Sequence, residues 1–294
     1  MLPTQFQPQL NHQMTYLSPS HPIRKLSVPF ARILSYLQHK GPPTFGSMAS
    51  DEIILFDIPS KAPVESWSLN PWKTRLLLNY KGLQYRTEWL NYPQVKPRLE
   101  GHVAPHAPGT HIAPYTIPTI RLPDDTYIAD SRAIADAISA LHPSPPLQID
   151  SPQLEWLMAN YGRLMTPFRG VYLPLVPRRL LADESVAYWY ESKARIAGKS
   201  VADIERDEGG DVAFAALEPF MKEVTAMLKE NPAGPLFGGE QVGYVDFFWA
   251  AFLLFVRRIG EDVWEKLLAR CGGDGRVHAE LLEAVKPWSE RSTY

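Results

Sequence analysis

The 294-residue chain has a single cysteine, Cys271. One thiol excludes an internal disulfide, a zinc site built from cysteines and a Cys-x-x-Cys redox pair, and it fits a reducing compartment. Charge of one dominant sign is missing too. Lys and Arg number 30 against 32 Asp and Glu, a formal net charge of −2, which is no electrostatic footprint for nucleic acid or an anionic membrane. Long apolar runs are also absent. The longest, Phe247 to Val256, is about half of the ~20 residues that span a bilayer and reads as the core of a buried helix. Gly-x-Gly-x-x-Gly after a strand, a Walker loop, Gly-x-Ser-x-Gly and His-Glu-x-x-His do not occur. Dinucleotide, nucleotide, serine-hydrolase and zinc-protease chemistry therefore have no foothold.

Residues 1–50 lack Asp and Glu entirely but carry Arg24, Lys25, Arg32 and Lys40; without them the chain has 26 basic and 32 acidic residues. This leader reads as a disordered extension, as a mitochondrial transit peptide, or as sequence ahead of a start at Met48. Apolar residues make up 45% and charged residues 21%, the composition of a soluble globular protein with a real core. Proline is the residue in excess, at 28.

From residue 51 the pattern is mixed. Ile53 to Ile58 reads as a buried strand. Asn70 fits an N-cap, Pro71 a first helical position and Gly82 a helix stop, with Trp72, Leu76, Leu77 and Tyr80 on one apolar face. Tyr85 to Leu90 alternates as a second strand. Five prolines between residues 91 and 117 leave little room for a regular helix. Thr119–Leu122 and Thr126–Ala129 flank a Pro123-Asp124-Asp125 turn as a hairpin, and Ser131 can cap a helix carrying Ile134, Ile138 and Leu141. The order β, α, β, irregular, β, β, α suggests a thioredoxin-like domain over 51–142. Pro143–Pro146 reads as a linker. Residues 151–294 then show helical spacing only: one helix from Ser151-Pro152 through Phe168, one over Glu184–Arg206, one over Val212–Asn231, and the Phe247–Val256 run in a fourth. The fold class is α/β plus all-α.

Four local features resemble the glutathione S-transferase family. Trp67-Ser68-Leu69-Asn70-Pro71-Trp72-Lys73-Thr74-Arg75 resembles the catalytic turn of serine-type members. Thr116-Ile117-Pro118-Thr119 resembles the segment before strand three that carries a cis proline. Ile128 to Ile134, with Asp130-Ser131, resembles the acidic-Ser pair opening helix three. Gly243-Tyr244-Val245-Asp246-Phe247 resembles the N-capping box of a buried helix in the second domain, with Gly243 where Ser or Thr is usual. The string from Trp67 through Tyr80-Lys81-Gly82 to Glu88-Trp89 is most similar to a fungal branch near the glutathione-dependent β-etherases.

The resemblance implies a thioredoxin-like glutathione-binding domain followed by an all-helical domain, glutathione as co-substrate and no metal. Ser68 takes the catalytic position, where its hydroxyl donates to the thiolate; its other reading is a plain turn serine. Asn70 contacts the sulfur or simply caps the helix. Ile117, ahead of a cis Pro118, offers its backbone to the cysteinyl part of glutathione. Asp130 and Ser131 receive the γ-glutamyl end. His111, in the cluster His102, His106 and His111, is a candidate for the glycine carboxylate. Tyr161, Met165, Phe168 and Tyr172 either line a pocket for a small hydrophobic electrophile or pack in the core. The expected activity is conjugation or β-ether cleavage in a detoxification role. The alternative is a non-catalytic member that carries a ligand or regulates. A cytoplasmic homodimer is expected, with a mitochondrial location if residues 1–50 direct it.

Overall fold

The computed structural model describes residues 52–108 and 111–293, so the expectation for residues 1–50 lies outside the described residues. The chain folds as a four-stranded mixed sheet with helices, followed by a helical domain. Strands β1 (Ile53–Asp57), β2 (Tyr85–Trp89), β3 (Thr119–Arg121) and β4 (Tyr127–Ala129) lie in the order β2-β1-β3-β4. β1 pairs in parallel with β2, Ile53 opposite Tyr85, and antiparallel with β3, which pairs antiparallel with β4. Every residue of β1 is buried, as a central strand covered on both faces requires.

Helix α1 (Leu69–Tyr80) follows β1. It begins earlier than its prolines suggest. Ser68 stands at the N-cap, Asn70 is the second helical residue and Pro71 the third. Proline fits there because the first-turn N–H groups have no partner inside the helix anyway. The stop at Gly82 has the expected left-handed backbone, with φ of 65°.

The proline-rich bridge does contain a helix, α2 (Tyr92–Leu99), with Pro97 inside it. Asn91 donates its backbone N–H to Gln94 Oε1 at 2.8 Å, and Pro93 falls in the first turn. Over so short a helix only the Pro97 N–H is truly lost. Helix α3 (Ser131–Leu141) is capped by Asp130, not Ser131: the Asp130 carboxylate accepts from the N–H groups of Arg132 and Ala133.

The second domain comprises α4 (Pro152–Ala159), α5 (Tyr161–Arg179), α6 (Asp183–Ala197), α7 (Val201–Glu208), α8 (Gly210–Lys229), α9 (Tyr244–Ile259), α10 (Glu261–Leu268) and α11 (Arg276–Ser289). Two expected helices are each divided. The chain breaks at Asn160 between α4 and α5, and at Gly198, whose φ of 72° ends α6 before Ser200 caps α7. At Gly170 an added Cβ would meet the Glu208 carbonyl at 2.2 Å, so only glycine lets α5 approach the α7–α8 turn so closely.

Helix α9 is buried over most of its length. Its Asp246 anchors two N–H groups, those of Gly243 at 2.7 Å and Phe237 at 2.9 Å. The Gly243 bond is the half of the capping box that a glycine N-cap can still make. Helix α1 packs on α9 and α11, welding the two domains. Asn79 donates to the Trp288 carbonyl at 2.6 Å, and Tyr244 Oη donates to the Ser131 carbonyl at 3.0 Å. No helix among the described residues is long and apolar enough to cross a membrane.

Candidate functional site

The site gathers at the N-terminal end of α1. Ser68 has extended backbone angles (φ −74°, ψ 134°) and is half-buried, yet its side chain makes no cap hydrogen bond. No acidic residue lies in the first turn of α1. The Ser68 hydroxyl therefore sits beside a helix end whose positive potential no carboxylate in that turn offsets. Behind this turn a buried network fixes the strand-to-helix connection. Arg75 pairs with Asp57 at 2.9 Å with both side chains fully buried, and Ser66 donates to the same carboxylate oxygen. Burial pushes the Asp57 carboxyl up from its ordinary value, against the pull of Arg75 and of the Ser66 and Ile58 donors.

The bond between Ile117 and Pro118 is cis. Neither the N–H nor the C=O of Ile117 takes a hydrogen-bond partner among the described residues, so one backbone donor and one acceptor stand ready for a ligand. The Asp130 N–H donates to the Pro118 carbonyl at 3.2 Å, which ties this segment to the start of α3. Asp130 has φ of 80°, a region that non-glycine residues enter rarely and Asp or Asn most readily. The observed cap bonds hold it there. Ser131 opens α3, and its hydroxyl makes no hydrogen bond among the described residues.

The remaining expected residues fall at different distances from this centre. His111 lies 3.5 Å from Asp130 through Nε2 and stacks on His106 with ring centroids 3.6 Å apart. It thus lies beside Asp130, the residue that the resemblance matches to the γ-glutamyl end. His106 is held by Thr116 at 2.8 Å, and burial together with His111 lowers its pKa, opposed by Asp130. Among the described residues no three His, Cys, Asp or Glu side chains gather as a metal site would need.

Tyr161 packs edge-on to Phe248, and Met165 and Tyr172 line a small cavity. Phe168 is fully buried among Tyr172, Phe252 and Phe255. It belongs to the core and gives no pocket wall.

One residue that sequence reasoning passed over is Lys73. It is 5% exposed, donates to Asn70 Oδ1 at 3.0 Å and lies 3.9 Å over the Phe248 ring and 5.4 Å over that of Tyr161. Burial lowers its pKa to about 7, with Asp130 pulling the other way. By taking the Asn70 amide oxygen, Lys73 leaves the amide NH2 as the outward donor. The signal was present: Lys73 falls four residues after Leu69 and three before Leu76, on the buried stripe of α1.

Comparison with known proteins points one way. The descriptions "Glutathione S-transferase, N-terminal domain" and "Glutathione S-transferase, C-terminal domain" match residues 67–141 and 157–288. The glutathione S-transferase-like protein ustS of Aspergillus flavus is 29% identical over 254 residues, covering 80% of this chain and 90% of its own. Glutathione transferase GSTFuA2 of Phanerochaete chrysosporium superposes with a TM-score of 0.70 at 26% identity, covering 82% of this chain and 99% of that one. CsGST63524 of Ceriporiopsis subvermispora, solved in complex with glutathione, gives 0.68 at 25% identity, covering 81% and 97%.

Proposed function

Because this chain belongs to the glutathione S-transferase family, we propose that it binds glutathione at this site and activates its thiol for attack on an apolar or aromatic electrophile. The observation that carries the reading is Ser68, an N-cap by position whose hydroxyl makes no cap bond. In the proposed complex that hydroxyl donates to sulfur. The unpaired backbone of Ile117 makes a short ladder with the cysteinyl unit. The start of α3 takes the γ-glutamyl carboxylate on the Ser131 N–H and hydroxyl, while Asp130, whose Oδ1 already caps Arg132 and Ala133, faces the ammonium group with its other oxygen.

The chemistry follows from ionisation. A free thiol has a pKa of about 8.5, so only about 3% is thiolate at pH 7. Lowering that pKa by about two units gives roughly 25-fold more thiolate. In conjugation, the C–S bond forms and the leaving group departs with its electron pair. In the β-ether variant of the proposal, the departing group is a phenolate released as the C–O bond breaks. The family reading carries a cytoplasmic homodimer with it, and light scattering tests the dimer.

The test is turnover of glutathione with 1-chloro-2,4-dinitrobenzene by the wild type and Ser68→Ala, with glutathione binding measured in parallel. Catalysis predicts a kcat/KM lowered by roughly 25-fold in the variant, with glutathione binding near pH 7 weakened only about fourfold through the lost thiolate stabilisation. Binding by both proteins without turnover by either would overturn the transferase reading in favour of a ligand carrier.

A further inference from the structure

A cavity of about 80 Å³ lies between α5, α6 and Ile112, with Met165, Tyr172, Arg169, Lys193 and Ile196 in its walls. Its two cations differ in kind. Arg169 is held by Glu208 through two bonds of 2.6 and 2.9 Å, and Lys199 adds a third at 2.6 Å to the same carboxylate. Lys193 has no carboxylate within ion-pair distance among the described residues. Its ammonium stands 4.7 Å over the Trp189 indole, and burial alone lowers its pKa to about 8.

Two contacts lead from the cavity's surroundings toward the proposed thiol site. Ile112 follows His111, the residue 3.5 Å from Asp130. Trp189 meets Trp67, the residue before Ser68, edge-on at 6.3 Å. Lys193 is half-buried, with Trp189 as its ring partner and no carboxylate, so an anion brought to this wall gains a pairing that the protein does not already supply.

We propose that Lys193 selects the electrophile: the cavity takes its carboxylate or phenolate end, which pairs with Lys193, while the flat apolar body lies across the cavity mouth against Met165, Tyr172 and Ile112. This deepens the transferase reading and rests on it. The transferred group still forms its C–S bond at the reacting carbon, and the leaving group departs with its electron pair; Lys193 binds the far end and takes no part in bond breaking.

The test compares 4-chloro-3-nitrobenzoate with its neutral analogue 4-chloro-3-nitrobenzamide, both of which lose chloride from the same ring carbon. The wild type is expected to favour the carboxylate. Lys193→Met is expected to lower that preference by roughly tenfold, through KM and not kcat, with turnover of the amide retained. Lys193→Arg is expected to keep most of the preference. An unchanged preference in Lys193→Met, with amide turnover intact, would overturn the proposal. Should the wild type turn over neither compound, the transferase reading fails. Quenching of tryptophan fluorescence by 4-chloro-3-nitrobenzoate then still decides Lys193: weaker quenching in Lys193→Met supports the assignment and equal quenching removes it.

Discussion

The wall assigned to glutathione and the wall opposite it present different kinds of atom. On the first, the groups on offer are mostly backbone: the helix end at Ser68, the unpaired N–H and C=O of Ile117, and the Ser131 N–H at the start of α3. On the second they are side chains: Met165, Tyr172 and Lys193 from α5 and α6 line the cavity, and Tyr161 packs edge-on to Phe248 of α9. Backbone groups are present whatever the residue, so the first wall is fixed by turn and cap residues that hold the chain in place. The second wall changes with any substitution on a helix face.

Arg75→Met leaves Asp57 buried without its cation, and the expected cost is about 3–5 kcal/mol of stability, read from urea unfolding. A loss below about 1 kcal/mol would mean that the network behind the Ser68 turn is not what holds it.

Lys73 joins the two walls, and its burial carries a pH signature. Its pKa is about 7 in the folded protein against 10.5 ordinarily, so the unfolded chain binds more protons between those values. Its penalty is therefore full below about pH 7 and fades as pH rises through that window. Lys73→Met is expected to raise stability by about 2 kcal/mol or more near pH 6 and to flatten this rise. Thermal unfolding at several pH values checks both, and a wild-type profile that falls over the window would contradict the assignment.

His111 sharpens the boundary within the first wall. Placed at the γ-glutamyl end, His111→Ala should weaken glutathione and γ-glutamylcysteine by the same few-fold factor, as titration calorimetry would show. A loss confined to glutathione would return His111 to the glycine end. The smallest effect concerns Cys271, which is 1% exposed with its thiol pushed up to about 11 by burial. Ellman's reagent should leave it unlabelled in the native protein and label it only after unfolding.

Much of the first wall was legible because it is written in residues with special backbone chemistry. Gly82 stops α1, Pro118 follows a cis bond, and Asp246 binds the Gly243 N–H as the capping pattern suggests. The errors there were shifts in register. Asn70 and Ser131 both resemble N-caps, but Ser68 and Asp130 hold those positions, because several polar residues in a row suit a cap and tertiary packing chooses among them. The proline count concealed α2, since a proline in the first turn breaks no helical bond. The second wall was hardly legible. Phe168 and Tyr172 share a helical stripe, yet one is sealed in the core while the other meets a cavity, and spacing does not separate them. Lys73 was passed over although it falls on the buried stripe of α1, and Lys193 stands out only once Trp189 is beside it.

The central claim, that Ser68 activates a glutathione thiol, is tested most directly by the ultraviolet thiolate band of bound glutathione followed across pH in the wild type and Ser68→Ala. The expected midpoint is about 6 to 7 in the wild type, returning toward about 8.5 in the variant. Glutathione that binds and ionises with the same midpoint in both proteins would contradict it.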